Sequence, residues 1–123
     1  GKVIRARASE GEEVLLKLLS TDEGAARLGE VALIDQDSSI ASMKKIFYSS
    51  LYDENASCHM AIGLAAGPKP STDEKMREER LNLSSIHVDF MVGSDQLSVY
   101  GENGDGKWEP ILENGRFAGE YRF

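Results

Sequence analysis

Residues 85–93 alternate apolar and polar side chains, and this stretch restricts the possible folds more than any other part of the chain. A period of two is the repeat of a β-strand, whose successive side chains point to opposite faces. One face would carry Ile86, Val88, Phe90 and Val92, and the other His87, Asp89 and Met91. Same-face neighbours lie roughly 6.6–7 Å apart at Cα, so His87 and Asp89 could share a metal ion or bind two neighbouring ions. The alternative is a half-exposed strand with an ordinary surface histidine and aspartate.

Charge and cysteine content narrow the classes of partner. The 123 residues carry a formal net charge of −7, which disfavours nucleic acid and anionic membrane surfaces and attracts metal cations and amines. The single cysteine, Cys58, cannot form an internal disulfide, and this fits a cytoplasmic protein. No apolar run approaches the roughly 20 residues of a membrane span, and no signal peptide is visible. Because the chain starts at Gly1 and not at methionine, we expect a piece of a longer or processed protein.

The remaining patterns predict an α+β fold: a mixed, mostly antiparallel sheet with one or two short helices and a C-terminal β-hairpin. An amphipathic helix is expected over Glu10–Ser20, opened by a capping box of Ser9 and Glu12. Further strands are predicted at Val3–Ala8, Leu28–Ile34 and Ser57–Gly63. The hairpin would pair Leu97–Tyr100 with Trp108–Leu112, and Asn114-Gly115 would form a second turn. The charged residues 71–80 are expected to form a solvated surface segment.

Three predicted strands each place a potential metal ligand in an apolar setting: Glu30, His59, and the pair His87 and Asp89. A carboxylate inside a strand costs several kcal/mol to bury unless it is paired, hydrogen-bonded or bound to a cation. Mixed imidazole and carboxylate ligands suit zinc, cobalt or manganese. The alternatives are an Arg27 ion pair or edge-strand exposure for Glu30, and a satisfied core histidine for His59.

Other reactive or aromatic side chains have simpler explanations. Cys58 and His59 are adjacent on a strand and point to opposite faces, so the thiol cannot readily use this imidazole as a base. We expect Cys58 to pack in the core. Trp108, Tyr100 and Phe117 are expected to pack within the hairpin, with a dimer contact as the alternative.

Four parts of the chain together resemble a known family. They are Leu28–Leu33, Phe47-Tyr48 with Asp53–Gly63, Asn82 with Ser84, and His87–Gly93. In this order they resemble the C-terminal part of the thermophilic aminopeptidase family of metallopeptidases. The resemblance extends over most of the chain, from the Lys2-Val3 strand to Asn114-Gly115.

The resemblance implies a two-metal exopeptidase that removes N-terminal residues from peptides with a free amino terminus. It also implies a cytoplasmic homodimer that uses zinc, cobalt or magnesium. Matched by motif, Glu30, His59, His87 and Asp89 correspond to family metal ligands, the same four residues that the strand patterns single out. Residues 1–123 would then form the C-terminal part of a catalytic module in a longer protein.

The chain departs from the family pattern in two ways. A bridging glutamate and the glutamate that serves as general base lie upstream of the residues present here, so no catalytic residue is assigned. The family has a tyrosine seven residues after the strand histidine, where this chain has Ala66. Because a general base contributes about 10²–10⁴-fold to a rate, we expect the isolated chain to be inactive or nearly so. The alternative is a non-catalytic binding or dimerisation module that retains the fold.

Overall fold

A computed structural model describes residues 1–65 and 81–121, and it confirms the predicted α+β class. The helices are α1 (Glu12–Leu19) and α2 (Ser50–Asp53), with 3-10 turns at Ala41–Met43, Glu54–Ala56 and Gly119–Tyr121. The strands are β1 (Leu28–Ala32), β2 (His59–Gly63), β3 (His87–Met91), β4 (Val99–Glu102), β5 (Trp108–Glu113) and β6 (Arg116–Phe117). They form two three-stranded sheets, β1-β2-β3 and β4-β5-β6.

The chain divides into two compact units. The first is Gly1–Val31 with Met60–Phe90, and the second is Ala32–His59 with Met91–Phe123. The first sheet belongs to the first unit except for the terminal residues Ala32, His59 and Met91.

In the first unit, the central strand β2 runs antiparallel to both of its neighbours. The Gly63 amide at its end donates to the Arg27 carbonyl just before β1, at 2.8 Å. The next amide, from Leu64, donates to the Ile86 carbonyl just before β3, at 2.6 Å. Ala61 and Ile62 of β2 point to opposite faces and are both buried, so both faces of this central strand are covered. The beginnings of β1 and β3 therefore lie on either side of the end of β2.

The second unit contains the predicted hairpin. β4 and β5 pair antiparallel with Glu102 opposite Trp108, and β5 continues into β6 through a turn at Asn114-Gly115. Both turn residues have positive φ, +51° and +76°, as the left-handed conformation of a tight turn requires. Leu112 of β5 is fully buried and anchors this sheet.

The N-terminal predictions are partly wrong. Val3–Ala8 is not a strand: the Val3 amide donates to the Ala26 carbonyl at 2.8 Å beside a Lys2–Arg27 bridge, but Ile4 is already 97% exposed. The small and charged residues of this segment offer little apolar surface to bury. Helix α1 is present, but its cap is Gly11 with φ +69°, not Ser9. Because only glycine adopts that conformation without cost, the chain turns at Gly11 and the capping box does not form.

On β3, Phe90 is 43% exposed, so the apolar face of this strand is not fully covered by the described residues. One expectation about burial is wrong. Trp108 and Tyr100 are 67% and 49% exposed and do not pack within the hairpin. Trp108 pairs with Glu102 beside the turn, at the end of the hairpin that faces solvent.

Some predictions fall on residues outside the described ranges, namely Ala66 and the charged run 71–80. Over the ranges 1–65 and 81–121, no helix is long and apolar enough to cross a membrane.

Candidate metal centre

The first unit brings three of the four predicted ligands together. His87 and Asp89 project from the same side of β3, with His87 Nε2 3.2 Å from Asp89 Oδ1. Glu30 reaches the same imidazole nitrogen from β1, with its Oε2 at 3.7 Å. All three side chains are between one-fifth and one-quarter exposed. The period-two placement of His87 and Asp89 on one face is thus confirmed, and Glu30 joins them.

A backbone carbonyl fixes the orientation of the His87 ring. Nδ1 lies 2.7 Å from the Leu64 carbonyl oxygen, which can only accept, so Nδ1 carries the hydrogen and donates it. The preceding residue, Gly63, has φ +93°, and a Cβ there would collide with the Ile86 carbonyl, so the close approach of these two backbones requires glycine. With Nδ1 engaged, the lone pair of the neutral ring lies on Nε2, the nitrogen that faces the two carboxylates.

Asp89 Oδ1 differs from most buried polar atoms in this structure. It is buried and has no hydrogen-bond partner among the described residues. It lies 3.2 Å from His87 Nε2, a contact that is an ion pair only when the ring is protonated. A buried acceptor left unpaired costs about 1–3 kcal/mol, more than a typical hydrogen bond returns. A bound cation would supply the missing partner.

A divalent cation fits this arrangement. His87 Nε2, Asp89 Oδ1 and Glu30 Oε2 are the atoms that zinc, cobalt and manganese accept as ligands. Two atoms bound to one ion at about 2.1 Å each lie roughly 3–3.5 Å apart, close to the 3.2 and 3.7 Å separations seen here. A metal-bound histidine usually has its other ring nitrogen hydrogen-bonded to a carbonyl or carboxylate, as His87 has at Nδ1.

The pocket is not complete as it stands. Within residues 1–65 and 81–121, no three His, Cys, Asp or Glu side chains are arranged to hold an ion by themselves. The structure therefore provides two close ligand pairs that share His87, and further ligand atoms or small side-chain rotations are needed to close a coordination shell. We call Glu30, His87 and Asp89 the strand ligand cluster.

His59, the fourth predicted ligand, belongs to the second unit and is described separately. It is only 2% exposed, and its Nδ1 lies 3.0 Å from the Ser57 carbonyl oxygen. The carbonyl again requires the hydrogen on Nδ1 and leaves the lone pair of the neutral ring on Nε2. Both histidines of the chain are thus held in the same tautomer by backbone carbonyls, which suits ligation through Nε2.

Cys58 is confirmed as a packing residue. It is 3% exposed, and its thiol exchanges hydrogen bonds with the backbone of Ile34, accepting from N–H at 3.2 Å and donating to C=O at 3.3 Å. A thiol engaged in this way is a structural group.

Sequence reasoning missed the two carbonyls that orient the histidine rings. Every residue has a backbone carbonyl, so the identities of Leu64 and Ser57 do not indicate these contacts. Gly63 was the only available signal, because a glycine at the end of a strand often marks a close approach of another backbone.

Comparison with known proteins identifies the family of this chain. The family model described as thermophilic metalloprotease (M29) matches residues 1–117. Aminopeptidase AmpS of Bacillus subtilis is 46% identical over 123 aligned residues, which cover 96% of this chain and 30% of that protein. Aminopeptidase T of Thermus thermophilus is 45% identical over 122 residues, with the same two coverages.

A solved structure gives the same result for the fold. Wild-type AmpT from Thermus thermophilus superposes with a TM-score of 0.81 at 44% sequence identity, covering 95% of this chain and 30% of that one. The chain thus spans about 30% of the length of the curated relatives it matches.

The ring tautomers provide a direct test of this geometry. Long-range ¹⁵N–¹H spectra of the metal-free protein, recorded where both rings are neutral, should show the hydrogen on Nδ1 in both His59 and His87. The carbonyls of Ser57 and Leu64 require this tautomer. A hydrogen on Nε2 of His87 would contradict the proposed ligand face, because no lone pair would then point at Asp89.

Proposed function

Because this chain belongs to the thermophilic metalloprotease (M29) family, we propose that it is the C-terminal part of a metal-dependent aminopeptidase catalytic module. The relatives it matches are named as aminopeptidases, and the chain spans about 30% of their length. The single observation that carries the proposal is the buried Asp89 Oδ1, which has no hydrogen-bond partner among the described residues and lies beside His87 Nε2.

The proposed ligands are Glu30, His59, His87 and Asp89. Geometry supports the strand ligand cluster, in which Glu30 and Asp89 each lie close to His87 Nε2. His59 is included on its family motif and on its ring tautomer, which matches that of His87. The resemblance further suggests two ions in the intact enzyme, of zinc, cobalt or magnesium.

The residues of this chain would hold and orient, and would not transfer protons. Leu64 fixes the His87 ring through its carbonyl, and the negative charges of Glu30 and Asp89 attract a cation and disfavour anions. When bound, divalent ions supply Lewis acidity toward the scissile carbonyl and a more acidic water. The carboxylates would also favour the charged amino terminus of a peptide substrate.

The general base and a bridging carboxylate are proposed to come from residues outside this chain, as the family resemblance implies. A cytoplasmic location and a homodimeric state are likewise proposals from the resemblance. Consistent with a missing partner surface, several large apolar side chains are exposed in the described part of the chain, including Trp108 at 67% and Leu51 at 72%.

That exposure also favours a second candidate function. A binding or dimerisation module that retains the aminopeptidase fold would use its apolar surface and would not need the strand ligand cluster. The two candidates differ in one measurable property, which is stoichiometric metal binding that depends on Glu30 and His87.

Calorimetric titration with Zn²⁺ and Co²⁺ tests the proposed ligands. We expect binding to the wild-type chain, and at least about a 100-fold loss of affinity in His87→Ala and Glu30→Gln, since even outer partners of metal ligands contribute 10–100-fold. Glu113→Gln is the matched control, because Glu113 is also a strand carboxylate but lies on β5 of the second unit. It should bind as the wild type does.

Absence of metal binding, or equal binding by all variants, would favour the non-catalytic module.

An aminopeptidase assay tests the division of roles between this chain and the rest of the module. With saturating Zn²⁺ or Co²⁺, the 123-residue chain should release no N-terminal residues above background, because loss of a general base removes about 10²–10⁴-fold of rate. Aminopeptidase T of Thermus thermophilus serves as the positive control. Robust turnover by this chain would show that its own residues include a base.

A further inference from the structure

Asp22 binds the segment that leads into β3. Its carboxylate accepts hydrogen bonds from the Ser85 amide at 2.8 Å, the Ser85 hydroxyl at 2.7 Å and the buried Ser84 hydroxyl at 2.8 Å. It also accepts from the Ala25 amide at 2.8 Å. The Ser85 amide, followed by the two hydroxyls, holds the pKa of Asp22 far below its usual range. The carboxylate is therefore charged at any pH near neutrality.

Asn82 makes the reciprocal connection, from the segment before β3 to the segment before β1. Its amide nitrogen donates to the Gly24 carbonyl at 2.9 Å and lies 3.3 and 3.4 Å from those of Arg27 and Leu28. Its side-chain oxygen accepts from the Ser84 amide at 3.1 Å. Residues 22–28 and 82–85 are thus held together in both directions, and we call this the Asp22–Asn82 clasp.

Gly24 shows how closely the two segments of the clasp approach. A Cβ at this position would collide with Asn82 Oδ1 and lie 3.0 Å from the Ser84 Cβ. Gly24 does not have a positive φ, so its backbone alone would accept alanine. The side-chain-free surface of Gly24 is therefore needed for the approach and not for the turn.

The clasp ends immediately before two members of the strand ligand cluster. Leu28 precedes Glu30 by two residues, and Ser85 precedes His87 by two. Because β2 lies between β1 and β3, the backbone ladder does not join these two strands directly. The separation of Glu30 from His87 would otherwise depend on two successive strand pairings.

We propose that the Asp22–Asn82 clasp positions the metal pocket, by setting the separation of Glu30 on β1 from His87 on β3. Asp22 and Asn82 are positioning residues in this scheme, since neither touches the cluster. The use of the pocket for metal rests on the proposed function, whereas the setting of the Glu30–His87 separation does not. An ion pocket tolerates little error, because a misplacement of about 1 Å can cost 100-fold in function.

Two glycine variants form a matched test. Gly24→Ala inserts a methyl group into the clasp, whereas Gly104→Ala adds one where no atom lies within 4 Å. Asp22→Asn opens the clasp independently, by replacing an acceptor oxygen with a donor. Thermal unfolding first identifies the temperature range in which each variant is folded, and all other measurements are made there.

The first readout needs no metal. The sequence has only two histidines, so the ring signals of His87 are assigned by loss in His87→Ala. In the metal-free protein, Gly24→Ala and Asp22→Asn should shift the His87 ring signals, and Gly104→Ala should leave them in place. Unchanged His87 signals in the folded clasp variants would overturn the proposal.

The second readout is Co²⁺ affinity, measured by calorimetry. We expect Gly24→Ala and Asp22→Asn to weaken it by about 10–100-fold, as outer supports of metal ligands do, and Gly104→Ala to change it less than twofold. If the wild type binds Co²⁺ and both clasp variants bind it with equal affinity, the positioning role is overturned, because a purely structural clasp would lower only the melting temperature. If the wild type binds no Co²⁺ but the His87 signals still shift, the clasp sets the Glu30–His87 separation as inferred, and the proposed function fails separately.

If both clasp variants fail to fold, Ser85 provides the milder test. Ser85 is exposed, and Ser85→Ala removes one hydroxyl bond to Asp22, whereas Ser85→Thr retains it. The proposal is supported if the His87 signals shift in Ser85→Ala and keep their wild-type positions in Ser85→Thr. It is overturned if they shift in neither variant.

Discussion

The central feature of this structure is the close approach of two carboxylates to one imidazole nitrogen. His87 Nε2 faces Asp89 Oδ1 at 3.2 Å and Glu30 Oε2 at 3.7 Å, and Asp89 Oδ1 has no hydrogen-bond partner among the described residues. Protein interiors rarely leave such an atom unpaired. A bound cation would provide such a partner, and this chain belongs to a metalloprotease family.

Backbone geometry creates this arrangement. The Leu64 carbonyl, next to the left-handed Gly63, accepts a hydrogen bond from His87 Nδ1, and this bond decides which nitrogen faces the carboxylates. The Asp22–Asn82 clasp joins the segments that lead into β1 and β3. A ligand pocket of this kind is thus specified as much by carbonyls and loop side chains as by the ligands themselves.

Sequence reasoning worked where a period was available. The period of two placed His87 and Asp89 on one strand face, and the Asn114-Gly115 turn and the hairpin followed from local turn chemistry. It failed where the contacts that position the site follow no sequence repeat. The hydrogen bonds that Asn82 donates and Asp22 accepts join residues about 60 positions apart, and no local sequence pattern predicts them. Helix α1 was found but its start was misplaced, because the chain turns at a left-handed Gly11.

The location of a bound metal ion tests this account most directly. Crystals of the protein grown with Zn²⁺ and measured at the zinc absorption edge should show an anomalous peak about 2.0–2.2 Å from both His87 Nε2 and Asp89 Oδ1, within reach of Glu30. A peak confined to other residues would contradict it. So would a well-ordered hydrogen bond between His87 and Asp89 with no peak beside them.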